Sequence, residues 1–367
     1  MDKGMYPFEV LKLKYKGFFS PECEITIGSL KIKSSEVSIP EVEVELAADG
    51  TAGGCRITIA DKYSYKSTSW DSELIDALKV GAKLKIKMGY AAKEEVFFGY
   101  VDDYTIKYGQ ETGPRIYITG MDGLGYLMSV RSHVYAGEKK VSELIKQLLD
   151  DAVSAGAADS ATVGLAISDM TVQRIVEGED SFTFLNTLAK QLGASFFCVN
   201  GEIIFDTVSS FSLAITTLKH GKGLISFSKR VSLANQPGKV IVHGRDINNE
   251  AIKGEAESTS LSGDGDAATD VASKLLKKSV YEEDNPLVLT ADECKTLAQN
   301  RFDDLAQNFV HGEGECIGIP ELIPGRYIEV DGLDENTDGS YFVKKVVHIY
   351  NEDGYYTRFE VRGAKSK

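Results

Sequence analysis

One stretch, Glu41-Val-Glu-Val-Glu-Leu46, alternates strictly between acidic and apolar side chains. A second, Lys83-Leu-Lys-Ile-Lys-Met88, repeats the pattern with lysine in place of glutamate. Because successive side chains of a strand point to opposite faces, each stretch predicts a β-strand with one apolar and one charged face. Further β-type runs at Val96–Val101 and Arg115–Thr119 are separated by loops rich in Gly, Ser and Asp. This spacing predicts an antiparallel barrel or sandwich.

The period changes in the middle of the chain. Apolar residues recur at helical spacing over Val141–Leu149 and again over Ser181–Leu192. Asp180 occupies the N-cap position of the second helix, and Gly193 occupies the position just past its end, where glycine commonly stops a helix. The turn Asn200-Gly201 joins two apolar runs and predicts a β-hairpin. This block is therefore predicted to be α+β.

β-type patterns return in the last third of the chain. Strands are predicted at Leu224–Val231, Lys239–His243, Arg326–Val330, Tyr341–Tyr350 and Tyr355–Val361. A polar stretch over residues 255–270 leads into two predicted helices, Ala267–Lys278 and Thr290–Asn308, the second opening on the capping-box pattern Thr290-Ala-Asp-Glu293. The predicted fold class is α+β and β-dominated, with a helical insertion.

Composition excludes several classes of protein. With 43% apolar residues, the 367-residue chain is typical of globular proteins, and no stretch approaches the roughly 20 apolar residues of a membrane-spanning helix. The N-terminus lacks a secretion pattern, which predicts synthesis and folding in the cytoplasm. A net charge of -14 opposes binding to a polyphosphate backbone. We therefore expect neither membrane insertion nor sequence-specific nucleic-acid binding.

The sequence contains no motif that points to catalysis. Its cysteines and histidines are scattered, with no CxxC pair and no second ligand at metal spacing; they are Cys23, Cys55, Cys198, Cys294, Cys316, His133, His220, His243, His311 and His348. We interpret the thiols as reduced and buried. An SxxK string at Ser226–Lys229 lies in a strand-like segment, so its serine and lysine would not converge. The glycine cluster Gly120–Gly125 lacks the order of a phosphate-binding loop and predicts a strand-to-loop turn.

Two acidic turns carry oxygen ligands of the kind that calcium prefers. They hold Asp264, Asp266 and Asp270, and Asp331, Asp334, Asn336 and Asp338. Neither has the spacing of an EF-hand, and Asp338-Gly339 is better explained as a turn between strands. Nothing selects a pair of carboxylates for glycoside hydrolysis. We therefore predict no catalytic, cofactor-binding or metal-binding residues and no cofactor.

Several strings occur in a fixed order along the chain. Phe98-Gly-Tyr-Val101 is followed by Ile116–Leu127 and then by the helix at Val141–Leu149. The most specific string runs from Arg174 to Gly193 and continues into the hairpin at residues 196–206. The C-terminal strings are Pro324–Leu333, Gly339–Val343, His348 and Gly354–Phe359. Together they resemble the late control protein D family, which comprises the hub proteins of contractile phage tails and the hub portion of VgrG-like spike proteins.

The resemblance implies two tube-like antiparallel β-barrel domains in each chain, so that three chains place six barrels in a ring. The first barrel is assigned to residues 1–125 and the second to 206–254 and 310–367. A peripheral α+β domain is assigned to 126–205 and 255–309. The implied function is a structural baseplate hub, not an enzyme, that adapts a sixfold tail tube to a threefold central spike in a phage tail, a tailocin or another injection system.

The same resemblance implies the partners and the location of the protein. They are two further copies that complete a homotrimer, a separate spike protein, the tail tube protein, baseplate wedge proteins and a tape-measure protein. The chain is expected to be made in the bacterial cytoplasm and then to become part of the particle, as a virion component. Alternation alone predicts that the strands near Glu41–Leu46, Lys83–Met88 and Arg326–Val330 line the subunit contacts.

Two other functions stay open. A tail-tip carbohydrate-binding protein needs an exposed aromatic platform, and this chain has a single tryptophan, Trp70. A cell-wall-degrading protein needs catalytic motifs, which the sequence lacks. The trimeric state distinguishes a hub from both.

Overall fold

The computed structural model describes residues 5–131, 139–164, 171–172, 179–207, 213–286 and 288–367. His133 and the string Arg174–Gly178 lie outside these residues. The described chain is dominated by strands with helices between them, which confirms the predicted fold class. Most of its strands belong to one continuous sheet of 13 strands.

The first β unit is a curled sheet in the order β2-β1-β7-β8-β9-β4-β3. Its elements are β1 (Glu22–Ile27), β2 (Leu30–Lys33), β3 (Glu41–Ala47), β4 (Gly54–Ile59), the small hairpin β5 (Tyr63–Ser64) and β6 (Ser69–Trp70), α2 (Ser72–Ala77), β7 (Lys83–Gly89), β8 (Lys93–Gly109) and β9 (Gly113–Met121). The sheet curls so far that a Cβ atom at Gly120 of β9 would lie 2.5 Å from Cδ2 of Leu84 on β7 and 2.7 Å from Sγ of Cys55 on β4. Packing inside the unit therefore requires glycine at position 120.

The α+β unit follows the first β unit in the chain. Its elements are α3 (Gly123–Ser129), β10 (Lys139–Lys140), α4 (Val141–Ser154), β11 (Ser160–Val163), β12 (Thr171–Val172), α5 (Ser181–Leu192), β13 (Ala194–Val199) and β14 (Glu202–Thr207). Both predicted ends of α5 are confirmed: Asp180 Oδ1 accepts the N–H of Thr183 at 2.8 Å, and Gly193 adopts a left-handed conformation with φ 60°. The predicted hairpin is the β13–β14 pair.

The second β unit is a closed barrel of six strands. In order around the barrel they are β23 (Gly339–Asn351), β22 (Tyr327–Asp331), β15 (Ala214–His220), β16 (Gly223–Val231), β21 (Val310–Ile317) and β24 (Gly354–Gly363), and β24 pairs back onto β23. β15 runs parallel to both of its neighbours, whereas the other pairings are antiparallel. No hairpin connects β15 to β22, since the chain enters β15 from the α+β unit. The parallel pairing of β15 with β16 is confined to two positions, Lys219 opposite Gly223 and His220 opposite Leu224.

One ladder joins the two β units. β3 pairs with β23 in antiparallel register, from Glu41 opposite Asn351 to Ala47 opposite Lys345. The first unit and the barrel therefore share a continuous sheet and do not meet only through side chains.

The insertion between β16 and β21 corrects one prediction. Its elements are β17 (Lys239–Arg245), β18 (Ala251–Ala256), β19 (Asp266–Ala267), α6 (Ala268–Val271), α7 (Ser273–Leu276), β20 (Val280–Asp284) and α8 (Ala291–Ala306), with β25 (Lys365–Ser366) pairing to β19. Lys239–His243 is a strand, as predicted, but placing it in the barrel was wrong, because both of its edges pair with β18 and β20 in a separate sheet. The single helix predicted at Ala267–Lys278 is broken at Ala272, which has a non-helical φ of -123°. The capping box of Thr290 and Glu293 at the start of α8 is confirmed.

The N-terminal segment clamps the two β units together. It contains α1 (Phe8–Lys14) and a short 3-10 turn. On the barrel side, the Tyr6 N–H donates to the Ile215 carbonyl of β15 at 2.6 Å. On the other side, the Lys14 ammonium lies 2.7 Å from the Glu94 carboxylate of β8. The segment thus contacts strands from both units.

Tyr15 lies at the centre of this clamp and is fully buried. Its hydroxyl donates to Glu321 Oε1 at 2.8 Å, and only 9% of the Glu321 side chain is exposed. Its ring packs 5.5 Å from the ring of Tyr90, whose hydroxyl donates to the Gly318 carbonyl of the barrel at 3.1 Å. Polar and aromatic contacts therefore converge where the two β units meet.

Replacing Tyr15 by phenylalanine is expected to lower the free energy of unfolding by about 1.5–3 kcal/mol, because a hydrogen bond to a buried carboxylate is lost without a compensating one. Urea denaturation measures the change. The control is Tyr356→Phe, which removes a hydroxyl that donates to the Asp353 carbonyl at an exposed turn and should cost less than about 0.5 kcal/mol. Equal losses for the two variants would contradict the role of Tyr15 in the clamp.

Candidate assembly surfaces

The three strands predicted to line subunit contacts have no free edges within the described chain. β3 lies between β4 and β23, β7 between β1 and β8, and β22 between β15 and β23. A strand with a neighbour on each side has no row of unpaired N–H and C=O groups to offer to another subunit. Within the described chain, another subunit can therefore contact these strands only through their outward faces. That they line the subunit contacts stays a prediction.

Charged pairs within the chain cover the outward faces of β3 and β7. Glu43 lies 3.0 Å from Arg56, and Lys85 lies 3.3 Å from Glu95 and 3.6 Å from Asp159. Pairs this exposed contribute little to stability. The charges can therefore be changed with little cost to the fold, which makes these faces suitable for mutational tests of assembly.

Trp70 lies in an aromatic cluster formed by the β5–β6 hairpin and the tip of the β8–β9 hairpin. Its indole N–H donates to the Tyr108 hydroxyl at 3.0 Å, and both rings pack around Tyr63. Tyr65 completes the cluster and is 72% exposed. The rings meet Tyr63 at interplanar angles of 65–87°, so they pack edge against face. This arrangement does not form the flat platform that stacking on a sugar ring requires.

Contacts within the chain occupy the carboxylates of the two acidic turns. Asp270 accepts the Ala267 N–H at the start of α6 at 3.0 Å. Asp331 lies 2.8 Å from the Lys219 ammonium, and Asp338 belongs to a turn in which it caps a neighbouring backbone N–H. In the part of the chain that the structure describes, no three His, Cys, Asp or Glu side chains come together in a way that could hold a metal ion.

The SxxK string lies on a strand, as predicted. Ser226 and Lys229 both belong to β16, and the Lys229 ammonium donates to the Asn336 carbonyl. Because residues three apart on a strand point to opposite faces, the serine and lysine do not converge. The pair therefore lacks the geometry of an acylating site.

The glycine cluster Gly120–Gly125 is a strand-to-helix junction, so the predicted strand-to-loop turn was wrong. Asp122 caps α3 directly: its Oδ1 accepts the N–H of Leu124 at 2.9 Å and, at 3.4 Å, that of Gly125. Its Oδ2 accepts the N–H of Gly53, just before β4, at 2.8 Å. The side chain is 1% exposed, and burial raises the pKa of Asp122 to about 7 although the three N–H donors lower it. Asp122 thus ties the first β unit to the start of the α+β unit.

The five cysteines are free and buried, as predicted. Burial raises the pKa of Cys23, Cys55 and Cys316, which keeps these thiols protonated. His348 is also fully buried, near the end of β23 and close to its turn into β24. Over the described residues, no helix has both the length and the apolar character needed to cross a membrane.

Comparison with known proteins places this architecture among related folds. The sequence matches the profile of the family described as the Alg8 N-terminal domain over residues 21–352. No curated protein matches the chain. The structure resembles the 43 kDa tail protein of prophage MuSo2 from Shewanella oneidensis, with a TM-score of 0.66 and 18% identity over 93% of this chain and 98% of that chain.

Two further solved structures resemble the chain. A tail protein from Neisseria meningitidis MC58 has a TM-score of 0.67 and 10% identity over 94% of this chain and 97% of that chain. The E. coli c3393 protein, a component of the type VI secretion system, has a TM-score of 0.51 and 13% identity over 89% of this chain and 73% of that chain. At these identities the likeness shows a shared fold.

Proposed function

The chain belongs to the Alg8 N-terminal domain family, and we propose that it is a structural, non-enzymatic component of a contractile phage tail or related injection particle. Its proposed place is the baseplate hub, in which three copies form a ring between a sixfold tail tube and a threefold central spike. The fold shared with phage tail proteins supports this proposal. So does the likeness to the c3393 protein, which exhibits structural similarity to the T4 tail proteins gp27 and gp5.

The observation that carries the proposal is the ladder between β3 and β23. Its seven residue pairs fix two curled β units within one sheet. Two units held at a constant angle in each chain give six units in a trimer, which is the number that a sixfold tube can contact. A single-unit protein would need six copies to do the same, and it would not match a threefold spike.

We propose the predicted domain assignment with one change. In the proposed assignment the first unit comprises 1–125 and the barrel comprises 206–238 and 310–367. The peripheral part comprises 126–205 and 239–309, which moves β17 and β18 out of the barrel. The proposed partners are the tube, a separate spike protein, baseplate wedge proteins and a tape-measure protein. The proposed location is the assembled particle.

Light scattering on the purified chain tests the proposal. We expect a mass three times that of the 40.0 kDa chain, alone or after addition of the spike protein. A chain that stays monomeric at micromolar concentration, both alone and with the spike protein, would contradict the hub role.

Charge reversal on the outward faces tests where the copies meet. Glu43→Lys and Lys85→Glu are each expected to weaken association of the trimer about tenfold or more, because like charges then face each other across the contact. Dilution followed by light scattering measures the dissociation. The control is Lys66→Glu, on the exposed turn of the β5–β6 hairpin. If both reversals leave the trimer as stable as the control does, β3 and β7 do not line the contacts.

The alternative of a tail-tip sugar-binding or wall-degrading protein is favoured only by the exposed aromatic cluster around Trp70. Its edge-to-face packing argues against stacking on a sugar. Zymography on peptidoglycan is expected to show no clearing. A cleared band would favour the alternative over the hub.

A further inference from the structure

A small cleft with an excess of positive charge lies between the barrel and the two helices α5 and α8. Its volume is about 200 Å³. Its charged lining consists of Lys190, Arg301, Lys344 and Arg362 against two carboxylates, Asp49 and Asp304. Four cations against two anions form a locally positive site on a chain whose net charge is -14. We call this site the basic cleft.

Two of the four cations already have partners. Lys344 lies 3.1 Å from Asp49 Oδ2, and the Arg301 guanidinium donates through Nε to Glu283 at 3.1 Å. Asp49 is itself engaged, since it also accepts the Thr51 hydroxyl at 2.6 Å. The positive charges of both Lys344 and Arg362 help to lower the pKa of Asp49, so this one carboxylate is shared between two cations.

Arg362 is different. Its Nε is buried and has no hydrogen-bond partner among the described residues, and its guanidinium lies in no ion pair there. A buried N–H on a charged group is costly when it is left without an acceptor. Lys190, on α5, lies at the same cleft and is exposed, and its ammonium also has no carboxylate within ion-pair distance in the described chain. Among the described residues, the basic cleft thus offers two cations that have no carboxylate within ion-pair distance, although Arg362 shares the more distant charge of Asp49.

β21, the strand next to Arg362, also lies close to an excess of positive charge. His311 of β21 lies directly opposite Arg362 of β24, and Arg230 of β16 lies opposite His311. Burial lowers the pKa of His311, and the positive charges of Arg362, Arg230 and Lys344 lower it further. The lowered pKa of His311 is thus a second sign of positive charge around Arg362.

We propose that the basic cleft binds an oxyanion, either a free phosphate or the carboxylate of an acidic peptide segment from a partner. Arg362 supplies charge-assisted hydrogen bonds, and Lys190 and Lys344 add positive charge around them. A volume of about 200 Å³ suits one such group, since pockets for drug-sized ligands start at roughly 300 Å³. The inference does not depend on the hub role.

Calorimetric titration at constant ionic strength tests the proposal, with inorganic phosphate and a hexa-aspartate peptide as separate probes. At least one probe is expected to bind saturably with a stoichiometry of one per chain. Arg362→Gln should weaken that binding about tenfold or more, because a hydrogen bond between charged groups is lost. Stronger binding of phosphate assigns the site to a free anion, and stronger binding of the peptide assigns it to a partner.

Arg230→Gln is the matched control, because it removes the same charge from β16, which is separated from β24 by β21 and does not line the cleft. It should leave the affinity within about twofold. Lys190→Gln, on an exposed position, keeps the test informative if Arg362→Gln folds poorly, and it should weaken binding about two- to fivefold. The proposal is overturned if neither probe saturates, or if Arg230→Gln weakens binding as much as the cleft variants do.

Discussion

Asp122→Ala is expected to lower the free energy of unfolding by about 3–5 kcal/mol, one of the two largest effects that we predict. The carboxylate accepts backbone N–H groups from Gly53, Leu124 and Gly125 in a fully buried site. Alanine leaves these donors without an acceptor, and each buried donor left unpaired costs about 1–3 kcal/mol. Chemical denaturation followed by circular dichroism measures the loss.

The control for Asp122 is Asp180→Ala. Asp180 also caps a helix, accepting the Thr183 N–H at 2.8 Å, but at an exposed position. Water can satisfy the N–H that this variant releases, so the expected loss is only about 0.5–2 kcal/mol. Equal losses for the two caps would show that the burial of Asp122 adds nothing.

The loss caused by Asp122→Ala should also depend on pH. The pKa of Asp122 is raised from an ordinary 3.8 to about 7 in the folded protein by burial. A group with a raised folded pKa contributes its full stability below its unfolded pKa and loses it as pH rises through the folded pKa. The difference in free energy of unfolding between wild type and Asp122→Ala is therefore expected to become smaller as the pH rises from 4 to 7. A gap that widens with pH would mean that the three N–H donors outweigh burial.

Local signals in the sequence predict the local structure well. Asp180 and Gly193 mark both ends of α5, and Thr290 with Glu293 marks the start of α8. These signals succeed because capping and left-handed termination depend on a few neighbouring residues. The alternation around Glu43 likewise predicts β3, with its apolar side chains inside.

The sequence does not reveal which distant strands and side chains come together. Lys239–His243 alternates like a barrel strand, but its partners are β18 and β20, and no local signal names the partners of a strand. The N-terminal clamp was also missed, because Tyr15 carries no motif, and its role depends on Glu321, 306 residues further along the chain. The basic cleft has the same origin, since Lys190 and Arg362 are brought together only by the fold.

The glycine cluster shows that a candidate site depends on both the local sequence and the tertiary structure. The glycine order at Gly120–Gly125 does not fit a phosphate-binding loop, and this much the sequence can show. It cannot tell that Asp122 would be buried, since burial follows from the curl of the first β unit toward Gly53. The distinctive chemistry of this segment is therefore a property of the tertiary structure.

Acid is expected to destabilise the protein through His348, and this is the second large effect. The imidazole is fully buried, with Nδ1 2.9 Å from the Tyr355 hydroxyl and 3.2 Å from the Thr357 hydroxyl. Burial lowers the pKa of His348 from an ordinary 6.5 to about 3. Between these values the unfolded chain binds a proton that the folded chain does not. The contribution of His348 is therefore present above pH 6.5 and is lost as pH falls toward 3.

Once the pH lies below the folded pKa of His348, the free energy of unfolding is expected to have fallen by about 5 kcal/mol through this residue. Over pH 4–7 the contribution of Asp122 to stability changes in the opposite direction. The pH dependence of wild-type stability alone therefore conceals the contribution of His348, and the difference in stability between wild type and a His348 variant is needed. The stability of wild type minus that of His348→Gln should rise from pH 3 to pH 6.5 and then level off. The same difference for His220→Gln, which alters an exposed histidine, should stay flat. A flat curve for His348→Gln would mean that folding does not change the proton affinity of this imidazole, which would contradict the predicted lowering of its pKa.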